Sequence, residues 1–132
     1  MRPAHDMTIL DPACGTGGFL LAAYDYMKKQ TSDKKQLREL KESKIFGCDN
    51  TSLVVSLCSM NLYLHGIGGT ECPIKHCDSL MSAGDVRYDM VLTNPPFLKN
   101  QQQKLWAKTA QSLQKKRIIS VKTLSQQPQT SK

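Results

Sequence analysis

The sequence predicts an α/β fold built on a parallel sheet, with four strands inside its 132 residues. Three observations predict it. Apolar runs alternate with helical patterns along residues 7–97, as in successive strand, helix, strand units. The first strand-to-helix junction is a glycine-rich turn, Asp11-Pro12-Ala13-Cys14-Gly15-Thr16-Gly17-Gly18-Phe19. The first three strands each run out into an acid, Asp11, Asp49 and Asp78, which in a parallel sheet puts three carboxylates along one rim.

The opening strand is the apolar run Met7-Thr8-Ile9-Leu10, and the helix after the turn carries Phe19, Leu20, Ala23, Tyr24 and Met27 at helical spacing. Three glycines in four positions let the backbone take positive φ and let a ligand lie against the main chain at a helix N-terminus. The spacing excludes two common ligand classes. A dinucleotide fingerprint needs a further glycine where Leu20 stands, and a P-loop needs Gly-Lys where Leu20 and Leu21 stand. An acidic rim would also repel a pyrophosphate. It suits S-adenosylmethionine, which has no phosphate, brings a sulfonium and an ammonium to a carboxylate, and offers ribose hydroxyls and an adenine amine as donors.

A polar, lysine-rich stretch from Thr31 to Ser43 reads as a short surface helix, with Ser32 as its cap and Leu37 and Leu40 as its apolar contacts. Lys44-Ile45-Phe46-Gly47-Cys48 is the second strand, and its end at Asp49 places an acceptor for two ribose hydroxyls. Asn50, Thr51 or Ser52 caps the next helix, in which Leu53, Leu57, Met60 and Leu64 recur as one stripe, expected to be core. His65-Gly66 ends it, histidine at the negative end of the dipole and glycine in a left-handed cap. After the loop Gly68-Gly69-Thr70, Pro73 to Cys77 forms a short third strand ending at Asp78, an acceptor for the adenine amine. Asp85-Val86-Arg87 is loop, and Tyr88 to Thr93 is a fourth, strongly apolar strand.

That strand runs into Asn94-Pro95-Pro96-Phe97. Neither proline can donate to a ladder and each restricts the residue before it, so the segment is a rigid turn. Its chemistry lies in Asn94 and Phe97. An amine conjugated to a ring is a poor nucleophile because its lone pair is delocalised. The Asn94 side-chain oxygen and the Pro95 carbonyl, each accepting one N–H, favour a more tetrahedral nitrogen with its lone pair aimed at a methyl donor. Pro96 stiffens the support, and Phe97 offers a face on which a planar group stacks. The substrate amine is then adenine N6, cytosine N4 or a glutamine amide, and no metal is needed.

No run of about 18 apolar residues is present, so no membrane span is expected, and the first residues carry no signal-peptide pattern. Five cysteines without a CxxC pair suggest reduced thiols in a cytoplasmic protein. A metal site from Cys72, His76 and Cys77 lacks a fourth ligand, and its adjacent residues point to opposite faces of a strand. The net charge of +7 is uneven: residues 1–97 hold ten Lys and Arg against all eleven acids, while residues 98–132 hold eight basic residues and no acid. This Gln- and Lys-rich tail, with a possible helix from about Asn100 to Lys116, is expected to be weakly ordered and suits non-specific contact with nucleic acid.

The turn from Asp11 to Phe19, the helix end Met60-Asn61-Leu62-Tyr63-Leu64-His65-Gly66-Ile67 and the segment from Tyr88 to Phe97 together resemble the modification subunit of type I restriction-modification systems. That family consists of N6-adenine DNA methyltransferases. The resemblance implies a Rossmann-like S-adenosylmethionine-dependent methyltransferase fold, partial because only the first four strands are present, over residues 1–97. It places the methionine end of the cofactor at Asp11, Pro12, Ala13, Cys14, Gly15, Thr16, Gly17, Gly18 and Phe19. The ribose falls at Asp49, with Asn50 beside it among the cofactor-binding residues, the adenine near Asp78, and the target base at Asn94, Pro95, Pro96 and Phe97. It further implies DNA, a specificity subunit and a restriction subunit as partners. Members are several times longer, so the alternatives for this chain are a non-catalytic, cofactor-binding remnant, or a methyltransferase acting on RNA adenine or protein glutamine.

Overall fold

The computed structural model describes residues 2–78, 86–94, 104, 108, 109 and 111–113. Four strands, Ile9–Asp11 (β1), Ile45–Asp49 (β2), Ile74–His76 (β3) and Met90–Val91 (β4), form one sheet in the order β3-β2-β1-β4, and every pairing is parallel. Helices Gly18–Lys28 (α1) and Lys34–Ser43 (α2) connect β1 to β2, and Ser52–Leu64 (α3) connects β2 to β3. The chain steps from β1 to β2 to β3 in one direction and then returns to the far side of β1 as β4. Strand order therefore reverses between β1 and β4, and in open parallel sheets a crevice lies at the carboxyl ends of the strands at such a reversal.

The register fixes which residues share a face. Ile9 is level with both Ile45 and Met90, and Gly47 with Ile74. This face packs against Leu20, Ala23, Tyr24 and Met27 of α1, Leu40 of α2, and Cys58 and Leu62 of α3, all buried. Burying each large side chain contributes about 1.5–3 kcal/mol. The opposite face carries Leu10 and Val91, flanked by Phe46 and Tyr88, whose ring centroids are 5.4 Å apart. Leu113 covers it, and the Leu113 carbonyl accepts the Tyr88 N–H at 2.9 Å. Residues 104, 108, 109 and 111–113 are helical, so the possible helix of the basic tail has a helical part here. The rest of the tail lies outside the described residues.

Four expectations need correction. The stripe Leu53, Leu57, Met60 and Leu64 is not core: Leu53 is 68% and Leu64 77% exposed, while Cys58 and Leu62 are fully buried. α3 has no charged residue, so apolar spacing alone fits either side of it. Contact with the glycine turn makes the choice. A Cβ on Gly17, which has φ +86°, would stand 2.9 Å from the Cys58 Sγ, so the helix closes on the turn through its small residue and leaves the bulky ones outside. Secondly, Asp33, not Ser32, caps α2, its carboxylate accepting the Gln36 N–H at 2.9 Å. Thirdly, Cys48 and Cys77 are joined as a disulfide with Cα atoms 5.8 Å apart, while Cys14, Cys58 and Cys72 are free thiols. The end of β2 and the residue just past β3 come together in space, which spacing along the chain does not reveal.

Fourthly, β4 pairs as a strand only at Met90–Val91, shorter than the expected run to Thr93. The Leu92 N–H still reaches the Leu10 carbonyl at 2.9 Å. The next rung of a parallel ladder would run from the amide of residue 12 to the Leu92 carbonyl, and Pro12 has no N–H to give. The proline of the glycine turn thus ends the β1–β4 ladder where the crevice begins. At the other end of these strands, Asp89 ties β4 to β1, its carboxylate accepting the Thr8 N–H and hydroxyl at 2.8 Å each. Cys14 and Ile67 are buried, as expected of residues that close the turn and the α3 exit, and Gly66 takes φ +70° after the His65 cap. Among the described residues no helix is long and apolar enough to cross a membrane.

Candidate cofactor and substrate cleft

The glycine turn sits on the carboxyl end of β1, in the middle of the sheet. It folds back on itself through the Gly17 N–H to the Cys14 carbonyl at 2.8 Å, and it is tied to β2 through the Cys14 N–H to the Cys48 carbonyl at 3.0 Å. From the side, α3 braces it: the Asn61 amide donates to the Thr16 carbonyl at 2.9 Å. Nothing in the residue spacing assigned that task to Asn61, although a lone amide in a helix without charged residues is a visible signal. Pro12, Cys14 and Gly17 are buried, Ala13 and Gly15 half-buried, and Thr16, Gly18 and Phe19 exposed. Phe19 therefore faces outward, at the mouth of the turn, instead of joining the buried face of α1.

The two acids nearest the turn differ in environment. Asp11 is 1% exposed, and its carboxylate accepts the Ala13 N–H at 3.0 Å. Burial pushes its pKa up to about 7, against a lowering by that N–H and by the neighbouring Thr93 hydroxyl, with the Asp49 charge adding to the rise. Asp49 is half-buried, and its two oxygens accept the Gly15 N–H at 3.2 Å and the Thr51 N–H at 3.0 Å. It thus hooks the glycine turn to the start of α3, and each oxygen keeps a second lone pair for a ligand hydroxyl. Cys14 is no nucleophile: a hydrogen bond with Cys58, burial and both nearby carboxylates push its pKa up.

Register sets how far each group projects. Asp11 is level with Gly47, so Asp49 stands two residues, roughly 7 Å, further out on the same face. Val91 is level with Leu10, so Asn94 reaches the same height on the other side of β1. If both follow the course of their strands, their Cα atoms are about 10 Å apart across β1, a span one small molecule bridges. Asn94 is exposed at this rim. Asn50 is exposed beside Asp49, its carbonyl 2.9 Å from the His76 Nε2. Asp78 lies two residues past His76, which is level with Asp49, so it belongs to the rim but stands outermost and exposed. Pro95, Pro96 and Phe97 lie outside the described residues.

The arrangement fits the group that the charge pattern suggested. Gly15 has φ +52°, and a Cβ built on it would meet no atom within 4 Å, so the turn presents bare backbone to open space. A buried carboxyl lies beneath that floor, a second carboxylate stands beside it, and the Thr93 hydroxyl, also buried, completes no hydrogen bond of good geometry. These are acceptors for a cation and for hydroxyls. Among the described residues no group of three or more His, Cys, Asp or Glu side chains could hold a metal ion.

Comparison with known proteins places this geometry in context. The family model described as N-6 DNA Methylase matches residues 1–128, beyond the 7–97 covered by the recognised motifs and into the basic tail. The chain is 42% identical over 104 residues to the type I restriction enzyme EcoEI methylase subunit of Escherichia coli, covering 72% of this chain and 20% of that protein. It is 35% identical over 107 residues to the StySPI methylase subunit of Salmonella potsdam, covering 74% of this chain and 20% of that one. Among solved structures, the type I restriction enzyme EcoKI M protein superposes with a TM-score of 0.76 at 25% identity, covering 86% of this chain and 28% of that chain. The chain thus spans about a fifth of the length of the curated relatives it matches.

Proposed function

Because the chain belongs to the N-6 DNA methylase family, we propose that it carries the S-adenosylmethionine site and the target-amine site of an adenine-N6 DNA methyltransferase. It would act as part of a type I modification subunit, with DNA and with specificity and restriction subunits as partners. The observation that supports this reading is that the strands leading to Asp49 and to Asn94 pair in parallel with β1 on its two sides.

S-adenosylmethionine, when bound, supplies a methyl group on a sulfonium centre. Every other task falls to the chain. The bare backbone at Gly15 lets a ligand lie on the turn, Asp11 offers a carboxylate to its cationic end, and Asp49 accepts from ribose hydroxyls with the lone pairs that Gly15 and Thr51 leave free. Asp78, at the outer end of the rim, is the acceptor for the adenine amine. Asn94 and the Pro95 carbonyl each accept one N–H of the target amine, so its lone pair turns out of the ring plane toward the methyl donor. Phe97 stacks on the target base. One proton would leave the nitrogen for solvent once the C–N bond has replaced the methyl–sulfur bond, whose electron pair stays on a neutral thioether, and positioning supplies most of the rate.

Transfer of a tritiated methyl group to DNA, with a specificity subunit added, tests the reading. Asn94→Ala should abolish transfer and leave cofactor affinity within a few fold. Loss of cofactor affinity as large as the loss of transfer would contradict the role given to Asn94.

A further inference from the structure

The Cys48–Cys77 disulfide is reactive chemistry for which methyl transfer has no use, and its place in the fold gives it a task. Cys48 immediately precedes Asp49 at the end of β2, and Cys77 stands between the end of β3 and Asp78. One covalent bond therefore joins the residues next to the two acids assigned to the ribose and to the adenine. The strand it fastens is a weak one. β3 has three residues, of which Ile74 alone is buried, and it lies at the edge of the described sheet, paired with β2. A short edge strand with so little buried surface opens more readily than the rest of a domain.

The bond has an approach from solvent and a reduced state already provided for. Cys48 is buried and Cys77 half-buried, so an incoming thiolate meets the Cys77 sulfur first. Once the bond is open, the Cys48 thiol has an acceptor in place, because the Cys77 carbonyl lies 3.1 Å from its Sγ. Backbone ties on both sides are independent of the sulfurs: the Cys77 N–H donates to the Asp49 carbonyl at 3.0 Å, and the Cys48 carbonyl accepts the Cys14 N–H at 3.0 Å. What changes on reduction is how firmly the end of β3 is held, since a covalent tie gives way to hydrogen bonds. The other thiols stand apart. Cys14 and Cys58 are buried, and Cys72 is exposed beside Ser59, ahead of β3.

We propose that Cys48 and Cys77 form a reversible thiol–disulfide site on the cleft rim, modified by low-molecular-weight thiols and their disulfides, whose oxidised form holds Asp78 alongside Asp49 and whose reduced form relaxes that hold. Its consequence for the ligand rests on the S-adenosylmethionine reading above; the chemistry of the pair does not. Opening is an exchange in two steps. A small thiolate bonds to the Cys77 Sγ, the Cys48–Cys77 bond breaks, and its electron pair goes to the Cys48 Sγ, which takes a proton. A second small thiolate attacks the sulfur of the first, and Cys77 leaves as a thiolate and takes a proton. The pair gains two electrons and two protons, and two small thiols become one small disulfide. The reverse closes the bond.

Two measurements on the full chain test this. After equilibration of folded protein in glutathione buffers of graded thiol-to-disulfide ratio, alkylation and mass spectrometry should show Cys48 and Cys77 appearing and disappearing together as one reversible couple, with Cys72 reacting in its thiol form independently of them. Sulfurs that never join in oxidising buffer, or a bond that opens only when the chain unfolds, overturn the proposal. Calorimetry should show the oxidised chain binding S-adenosylmethionine several-fold more tightly than the reduced chain, and Cys77→Ser binding like the reduced chain in both buffers. Equal affinity in the two forms of a wild-type chain that cycles overturns the hold on Asp78. Wild-type chain that cycles as described yet binds no S-adenosylmethionine in either form would instead sink the proposed function and leave the thiol pair standing.

Discussion

Asp11 shows how much a single side chain contributes here. A carboxyl 1% exposed and shifted from 3.8 to about 7 is a destabilised anion, and the shift corresponds to roughly 4 kcal/mol. The sign follows from linkage: the folded state holds the proton more tightly than the unfolded one, so the contribution is fully present below pH 3.8 and is lost as pH rises through 7. Denaturant titrations should therefore show stability falling between about pH 4 and pH 7 by an amount that Asp11→Asn removes. Equal slopes in the two proteins would contradict this account of Asp11. A cationic ligand acts in the opposite sense by favouring the anion, so a strained carboxyl becomes useful once the cleft is filled. Asp49 accepts two backbone N–H groups, so it serves the shape of the turn as much as any ligand.

Helix α3 shows where reading the chain succeeds and where it fails. Its existence, its start after Asp49 and its end at His65-Gly66 were all legible, because periodicity and a glycine stop are local, although Thr51 stands at the N-cap without a side-chain capping bond. The buried side was not. Leu53, Leu57, Met60 and Leu64 fit a helical stripe as well as Val55, Cys58 and Leu62 do, and only the approach of Gly17 to Cys58 decides between them. Leu62→Ala should destabilise by about 2–5 kcal/mol, whereas Leu57→Ala, at a 47% exposed position, should stay within about 0.5 kcal/mol. Urea midpoints would measure both, and the reverse ranking would show that the helix sits the other way round. The glycine turn and the acidic strand ends were legible for the converse reason, since their chemistry is written in consecutive residues. Thr93, Asn61 and the early end of the β1–β4 ladder were not, because each depends on what lies alongside in space. The same holds for the Cys48–Cys77 bond, which joins the end of β2 to the residue after β3.

The molecule as a whole has one asymmetry from which its chemistry follows. Strand order reverses at β1, so a single turn sits between an acid on one neighbour and an amide on the other, with Pro12 splitting the ladder between them. The first sheet face is closed by three helices, and the second is covered in part by Leu113 from the basic tail. This ties residues beyond 97 to the sheet, in keeping with a family match that runs to residue 128. The parallel order of four strands was legible from alternating strands and helices. The contribution of Leu113 was legible only as one apolar position on the expected helix from about Asn100 to Lys116, because the scattered leucines of a Gln- and Lys-rich segment do not say which sheet face they cover. What unites these levels is a rim of carboxylates on strands flanking β1, to which the proposed function gives a cation and hydroxyl donors, beside Asn94 as the proposed acceptor for a planar amine. Calorimetric titration of the folded chain with S-adenosylmethionine tests that most directly. One-to-one binding that weakens at least tenfold in Asp49→Ala is the result expected, and a folded chain that takes up no S-adenosylmethionine would contradict it.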